Sequence, residues 1–456
     1  MNLNPAFVSR LGMSIMLLVP AGLFVAKATA QEGLLGASST LEIYGNANGD
    51  WRIDEHDVTY LQQIIAGEAP ESEFADANRD GVIDQRDVEH VQSIVDGTAG
   101  FIWMLDGNGD PIRIALPIAR IGVEYLSNAE LMRVLGVSDR VVALDAAAYI
   151  MRDVYFPGRD DLLQMGQMHA NPDYESIFDM ELDVLFTFAP SVETKQASLP
   201  NTDVVFLGLY WPNVIEPEDS RFLQGVVKAG YLLGAEERAF AYVDWLLGLV
   251  DEIGSRTAAI PMDERPSVLM TSHNRYFQDG ETMAASIYTR IDPLTQACLL
   301  AGGRPVAEDI PEWMGEGDVY GTTVDMEWVM TRDPDFIFAH SVRYTYSGIA
   351  REPSYGYDED DRSAFDAAVA TMKELPLLRD LSAVTEGNTY ITAGDFRNNA
   401  MGGILAAAYL AKILHPDLFA DFDPQLVHQA FISDWMEIDF ELSHQGVFIA
   451  PALPAR

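Results

Sequence analysis

One cysteine, five lysines and no long apolar run beyond the first thirty residues set the first limits on this 456-residue chain. With Cys298 alone, neither a disulfide framework nor a thiolate metal cluster is available within one chain, and a buried helical thiol is the plain expectation. Positive charge is scarce: 29 Lys and Arg stand against 70 Asp and Glu, a formal net charge of −41. Such a surface repels phosphate backbones and anionic bilayers, which argues against nucleic acid as a partner. Catalytic signatures are missing too. There is no Gly-rich phosphate loop, no Gly-x-Ser-x-Gly elbow and no His-Glu-x-x-His helix, so an enzyme is not expected. Apolar residues, by contrast, are plentiful at 48%, enough for sizeable cores in two or three domains.

The first 30 residues read as an address. Arg10 precedes an apolar run over residues 11–26, and Ala28, Thr29 and Ala30 supply small residues for cleavage. Such a run is short of the roughly 20 residues that span a bilayer, so residues 1–30 are expected to be an export signal cut after Ala30. No cysteine follows to carry a lipid. Lys27 beside the cleavage site leaves an uncleaved anchor as the alternative, and either way the chain is exported to the periplasm, cell surface or medium.

Residues 41–98 contain an internal repeat, NANGDWRIDEHD at 46–57 and DANRDGVIDQRD at 76–87. Oxygen-bearing side chains fall at loop positions 1, 3, 5, 9 and 12: Asn46, Asn48, Asp50, Asp54 and Asp57, then Asp76, Asn78, Asp80, Asp84 and Asp87. A hard cation wanting six to eight oxygens needs that spacing, with position 7 offering its carbonyl. Each loop runs into an amphipathic stretch, VTYLQQIIAG or VEHVQSIVDG. The repeat resembles a type I-like dockerin, which implies a small all-α module holding two Ca2+ ions and docking onto a cohesin. Its first copy departs from the pattern in carrying Trp51 where glycine is usual. A later DGNGD, 106–110, lacks a position-12 ligand and reads as a hairpin turn.

From about residue 101, short β-branched runs alternate with helical stretches, the pattern of parallel-sheet lobes. Strands are expected at 119–123, 141–144, 184–188 and 204–207, then at 267–270, 336–339 and 389–392. Helices fit at 128–135, 293–300 and 401–414. A long helical stretch at 219–258, capped by Asp219 and interrupted near Gly234, separates the halves. The expected organisation is a first lobe at 101–218, a linking helix at 219–258, a second lobe at 259–440 and a tail at 441–456.

Each lobe carries an echo of the other: NPDYESIFDMELDVLFTF in the first and TTVDMEWVMTRDPDFIFAH in the second. Glu175 precedes Asp183 by the same interval as Glu327 precedes Asp335. With PIRIALPIARIGVEYLSNAELMRVLGVSDRVVALD, the region of Gly166, GAEERA at Gly234 and AAAYLAKILHPDLF ending at Phe419, these segments resemble substrate-binding proteins of ABC importers for iron-siderophores and cobalamin. The resemblance spans roughly residues 111–422. It implies an α/β fold of two parallel-sheet lobes joined by a long helix, an ABC permease as partner, and permease docking by Glu175 and Glu327.

Ligand groups are then expected on loops after strand ends, between the lobes. Candidates are Arg152 and Tyr155 near Tyr149 and Phe156, Trp211 beside Tyr210, and Arg275 in SHNRYF. Tyr344 in HSVRYTYSG and Arg397 in GDFRNN complete the set. Guanidinium groups suit carboxylate or catecholate and rings suit flat faces, so the expected cargo is chelated iron or cobalt, as an iron-siderophore or a corrinoid. Two alternatives stay open. His169, His273 and His340 together would suit bare zinc or manganese, and a body that binds nothing would be a cell-surface scaffold docked by its calcium module.

Overall fold

The computed structural model describes residues 40–168, 171–188, 191–210, 220–273, 284–316, 319–341, 355–357, 359–399 and 401–453. The export signal expected at 1–30 lies outside them.

The first described elements are two helices, α1 (Glu55–Ala66) and α2 (Gln85–Val95). Each starts at an aspartate N-cap, Asp54 or Asp84, and a second aspartate three residues on, Asp57 or Asp87, closes a capping box. Apolar Val58, Leu61 and Ile64 on one helix and Val88, Val91 and Ile94 on the other are buried where the two helices meet. An antiparallel hairpin follows, β1 (Phe101–Leu105) with β2 (Pro111–Ala115), and its turn is the DGNGD segment, as the spacing predicts.

The first lobe is a five-stranded parallel sheet of β3 (Ile121–Val123), β4 (Val141–Asp145), β5 (Leu163–Gly166), β6 (Val184–Thr187) and β7 (Asp203–Phe206), in the order β5-β4-β3-β6-β7. Its central strands are buried on both faces, which is why they read as continuous apolar runs. Among its helices are α3 (Leu126–Val134), α4 (Tyr174–Phe178) and α5 (Val192–Ser198).

The link is α6 (Arg221–Leu233) followed by α7 (Glu236–Thr257), whose 22 residues run about 33 Å. The break falls at Gly234, whose φ of +62° is the left-handed geometry that glycine tolerates. Ser220 caps α6 by accepting from Leu223 N–H; Asp219, the cap expected from the pattern, lies outside the described residues. Helix α7 packs on α3 in the first lobe and on two helices of the second.

The second lobe holds β8 (Ser267–Ser272), β9 (Ala284–Tyr288), α8 (Pro293–Leu300), β10 (Arg304–Pro305), β11 (Gly321–Asp325), α9 (Met326–Arg332), β12 (Phe336–Ser341) and β13 (Thr389–Ala393). Helices α10 (Asp395–Asn398) and α11 (Gly402–Leu414) and a last strand, β14 (Ile449–Ala450), complete it. Strands β8, β12 and β13 form a parallel centre, as the alternation predicts. Antiparallel β9, β11 and β14 extend the sheet at its edges. Cys298 is buried on α8.

Between the lobes lies a polar joint. Glu130 on α3 accepts from Met401 N–H at 2.7 Å and from Asn399 Nδ2 at 3.1 Å, placing a carboxylate at the start of α11 where the helix dipole favours it. The Arg133 guanidinium donates to the Met436 carbonyl, and Arg238 to the Trp435 and Val134 carbonyls. The N-terminal module is fastened to the link as well. Lys228 meets Glu42 at 2.6 Å, Ile53 N–H donates to the Tyr231 hydroxyl at 2.7 Å, and the Arg52 guanidinium lies 3.9 Å from the Phe240 ring centre.

Candidate functional site

Parallel strands of both lobes deliver their C-terminal ends to the region between them. At the end of β3, Glu124 is fully buried and accepts from the Thr187 hydroxyl at 2.6 Å, Phe188 N–H at 3.3 Å and Lys195 Nζ at 2.5 Å. Lys195 reaches in from α5. Removing one partner of such a buried pair typically costs about 3–5 kcal/mol, so the network holds the ends of β3 and β6 firmly. The next residue, Tyr125, has φ +72° and ψ 166°, a conformation that side chains rarely adopt and that costs on the order of 1–3 kcal/mol.

That strained residue begins a run of rings. Tyr125 lies on Phe188 with centroids 4.0 Å apart, and Phe188 meets Tyr210 edge-on at 5.5 Å. Tyr210 then meets Tyr320 of the second lobe at 5.0 Å. The Arg397 guanidinium stands 5.5 Å from the Tyr210 ring centre and 4.7 Å from that of Tyr288, whose hydroxyl lies 2.7 Å from His340 Nδ1. Arg397 is bound to fully buried Asp292 through Nε at 2.8 Å and Nη2 at 2.5 Å. Burial alone disfavours a charged guanidinium; the carboxylate outweighs it and raises Arg397 well above its ordinary value. Asp292 also caps α8, so the pair is anchored on a helix start.

Of the ligand residues expected from the sequence, the structure brings Arg397 to this seam. Arg152 is half-buried and local, 4.6 Å from the Tyr149 ring and 3.6 Å from Asp153. Tyr155 is fully buried in the lobe joint, where its hydroxyl accepts from Asn399 Nδ2 at 2.6 Å. Trp211, Arg275, Tyr344 and His169 lie outside the described residues. His340 is in the seam, and His273 directly follows β8, where burial lowers its pKa. The pattern did not single out Tyr125, Phe188, Tyr288, Tyr320 or Asp292. One signal was available, because Phe188 and His340 stand at the same distance after the echoed Asp183 and Asp335.

The echo is structural. Asp173 and Asp325 are N-caps of α4 and α9, accepting from Ser176 and Trp328 N–H, and Glu175 and Glu327 sit exposed in the first turns. Asp183 accepts from Ala119 and Arg120 N–H beside β3, while Asp335 accepts from Ser267 N–H and hydroxyl at the start of β8.

In the repeat module, Asp57 is buried and accepts from Asn48 and Asp54 N–H, and Asp87 likewise from Asn78 and Asp84 N–H. Burial pushes Asp57 up to about 7, with Asp50 and Asp54 adding to the shift, and raises Asp87 in the same way. Asp76 accepts from Asp80 and Gly81 N–H, and Arg86 pairs with Asp80 at 2.5 Å and Asp84 at 2.8 Å. Buried Asn46 keeps its Oδ1 without a hydrogen-bond partner. Among the described residues no three His, Cys, Asp or Glu side chains converge to hold a metal.

Two parallel-centred sheets on one long helix, with a seam between strand ends, define a two-lobed solute receptor. The profile described as periplasmic binding protein matches residues 123–395, and the chain belongs to that family. It is a substrate-binding protein of the ABC-transporter kind, a non-enzymatic and extracytoplasmic class. No curated protein matches the sequence. Similar solved structures include the TroA-like periplasmic binding protein FepB from Veillonella parvula. It is 15% identical, with 76% of this chain and 98% of that chain covered and a TM-score of 0.57. CeuE from Helicobacter pylori, in a nickel–histidine complex, is 13% identical over 74% and 96% of the two chains, TM-score 0.53. MolA from Haemophilus influenzae, bound to molybdate, is 15% identical over 74% and 99%, TM-score 0.53. No helix among the described residues is long and apolar enough to cross a membrane.

Proposed function

We propose that this chain binds a metal chelate with flat conjugated faces, an iron-siderophore or a corrinoid, between its lobes and delivers it to an ABC permease. The observation that carries the reading is the run of rings from Tyr125 through Phe188, Tyr210 and Tyr320, with Tyr288 beside Arg397. Aromatic faces stack on conjugated ligands, and Arg397, its charge answered by Asp292, offers remaining N–H donors and a flat cationic face. A small oxyanion instead asks for several uncompensated donors. Glu175 and Glu327, exposed one per lobe, are the docking points for cationic side chains of the permease. Replacing both with Ala is expected to leave cargo affinity intact while transport falls.

The test is the visible absorption spectrum and metal content of protein isolated gently from its own organism. A corrinoid or ferric-chelate band is expected, and it should be lost in Arg397→Ala or Trp211→Ala. Stoichiometric zinc or manganese without a chromophore would instead support bare-metal binding at His340 with His273 and His169, a reading favoured by the presence of His340 in the seam.

The repeat module is proposed to take two calcium ions, one per loop. The donors are hard oxygens, and the second loop already attracts positive charge in the form of Arg86. Titration of the full chain with millimolar calcium is expected to give two ions, and Asp57→Ala with Asp87→Ala none. An outside partner such as a cohesin would meet the second copy, because Arg52 and Ile53 of the first are engaged by the link.

A further inference from the structure

The echo between the lobes continues past the two glutamates. At one constant offset, Asp173 matches Asp325, Glu175 matches Glu327, Phe178 matches Met330, and Glu181 matches Asp333, both with positive φ. Ile177 and Val329, also at that offset, are fully buried and seat their helices on the lobes. The next residue points the other way: Phe178 is 46% exposed and Met330 is 44% exposed. Residues three apart are neighbours on a helix surface, so each lobe presents a carboxylate beside a large apolar side chain.

A single exposed apolar residue is ordinary. The same kind of residue, at the same place on two lobes that share little sequence elsewhere, is a repeated surface feature. Among the described residues neither Glu175 nor Glu327 forms an ion pair, although Arg332 is close by in sequence. Arg332 is held by Asp309 at 2.5 Å and lies 3.6 Å from the Trp328 ring centre. The two carboxylates therefore stay available to cations from outside.

We propose that Phe178 and Met330 are the apolar anchors of the permease contact, one per lobe. Each seats in an apolar hollow of the permease ringed by cationic side chains, which the adjacent glutamate meets. The inference rests on the permease partnership proposed above and adds which side chains hold the complex together. Exposed ion pairs contribute little to affinity, whereas a side chain desolvated at an interface centre contributes much. The glutamates then govern encounter rate and salt dependence, and the anchors govern residence time.

The test uses the full chain and the ABC permease of its own genome in nanodiscs, followed by surface plasmon resonance. Phe178→Gln with Met330→Gln is expected to raise the dissociation rate at least tenfold while the association rate and its salt dependence hold. Glu175→Gln with Glu327→Gln is expected to do the reverse, slowing association and flattening its salt dependence. Phe178→Leu with Met330→Leu, which keeps both side chains apolar, should dock as the unaltered protein does. Melting temperatures of all variants should match the unaltered protein, since neither pair of side chains is buried. Wild-type dissociation in the glutamine variant, or a tenfold loss in the leucine variant, would overturn the anchors alone. An unaltered protein that loads chelate but engages no permease would overturn the partnership itself.

Discussion

Asp145 ends β4 with its carboxyl sealed from water, and burial, with the Glu124 charge adding, pushes its pKa up to about 7. A folded-state pKa raised above the unfolded value near 3.9 favours folding below both values and disfavours it as pH rises through 7. The penalty at neutral pH is on the order of 3–4 kcal/mol. Asn at this position keeps the cap on Ala148 N–H without the charge. Urea unfolding of Asp145→Asn is therefore expected to show a more stable protein at pH 7.5, the advantage shrinking to near zero by pH 4. An advantage that does not change with pH would contradict a buried protonated acid. Tyr125 makes the limit of sequence reading plain at this scale. Its strained backbone follows Glu124, which is tied to Thr187 and Lys195, residues distant in the chain, so its type alone does not announce it. Arg397 was legible because an arginine just after an apolar strand stands out in a chain so poor in cations.

Helices α4 and α9 are the same device built twice, and their differences can be tested. Glu181 and Asp333 both adopt left-handed backbone, φ +52° and +39°, in the turn that leads to the following strand. Glycine at Glu181 removes the strain, and Glu181→Gly should stabilise the first lobe by about 1 kcal/mol. Asp333 differs because its carboxylate accepts from the Ser382 N–H at 2.7 Å and hydroxyl at 2.7 Å. Asp333→Gly should accordingly give no gain, or a loss of about 1 kcal/mol, in chemical denaturation. Equal gains from both would mean that the Ser382 contacts carry nothing. Elements of this kind were readable where their chemistry is local. The seven strands expected from apolar runs are all present, because parallel strands are buried on both faces. Strands β9 and β11 were not: AASIY is buried but holds few large apolar residues, and GTTVD alternates at the sheet edge. Tyr288, which closes β9, was missed with its strand.

At the scale of the molecule, the alternation of strands and helices showed two lobes, but how they are held depends on contacts between distant residues. Asn399 reaches Glu130 and Tyr155, and Arg133 reaches Met436, pairings that no local pattern encodes. Because Asn399 follows Arg397 so closely, the joint and the seam share one short segment. Asn399→Ala is expected to leave both sheets folded while amide hydrogen exchange quickens in α10 and in the segment around Tyr155. Unchanged exchange in both places would show that the lobes are held elsewhere. The fastening of the first repeat loop to the link has a separate consequence. A receptor on a slack leash points everywhere in turn and must wait for a favourable heading. Here Arg52 against Phe240, Ile53 against Tyr231 and Glu42 against Lys228 leave no slack between the module and the helices that carry both lobes. Whatever grips the exposed second copy thereby steers the mouth of the receptor, as a mast fixes the bearing of the dish bolted to it.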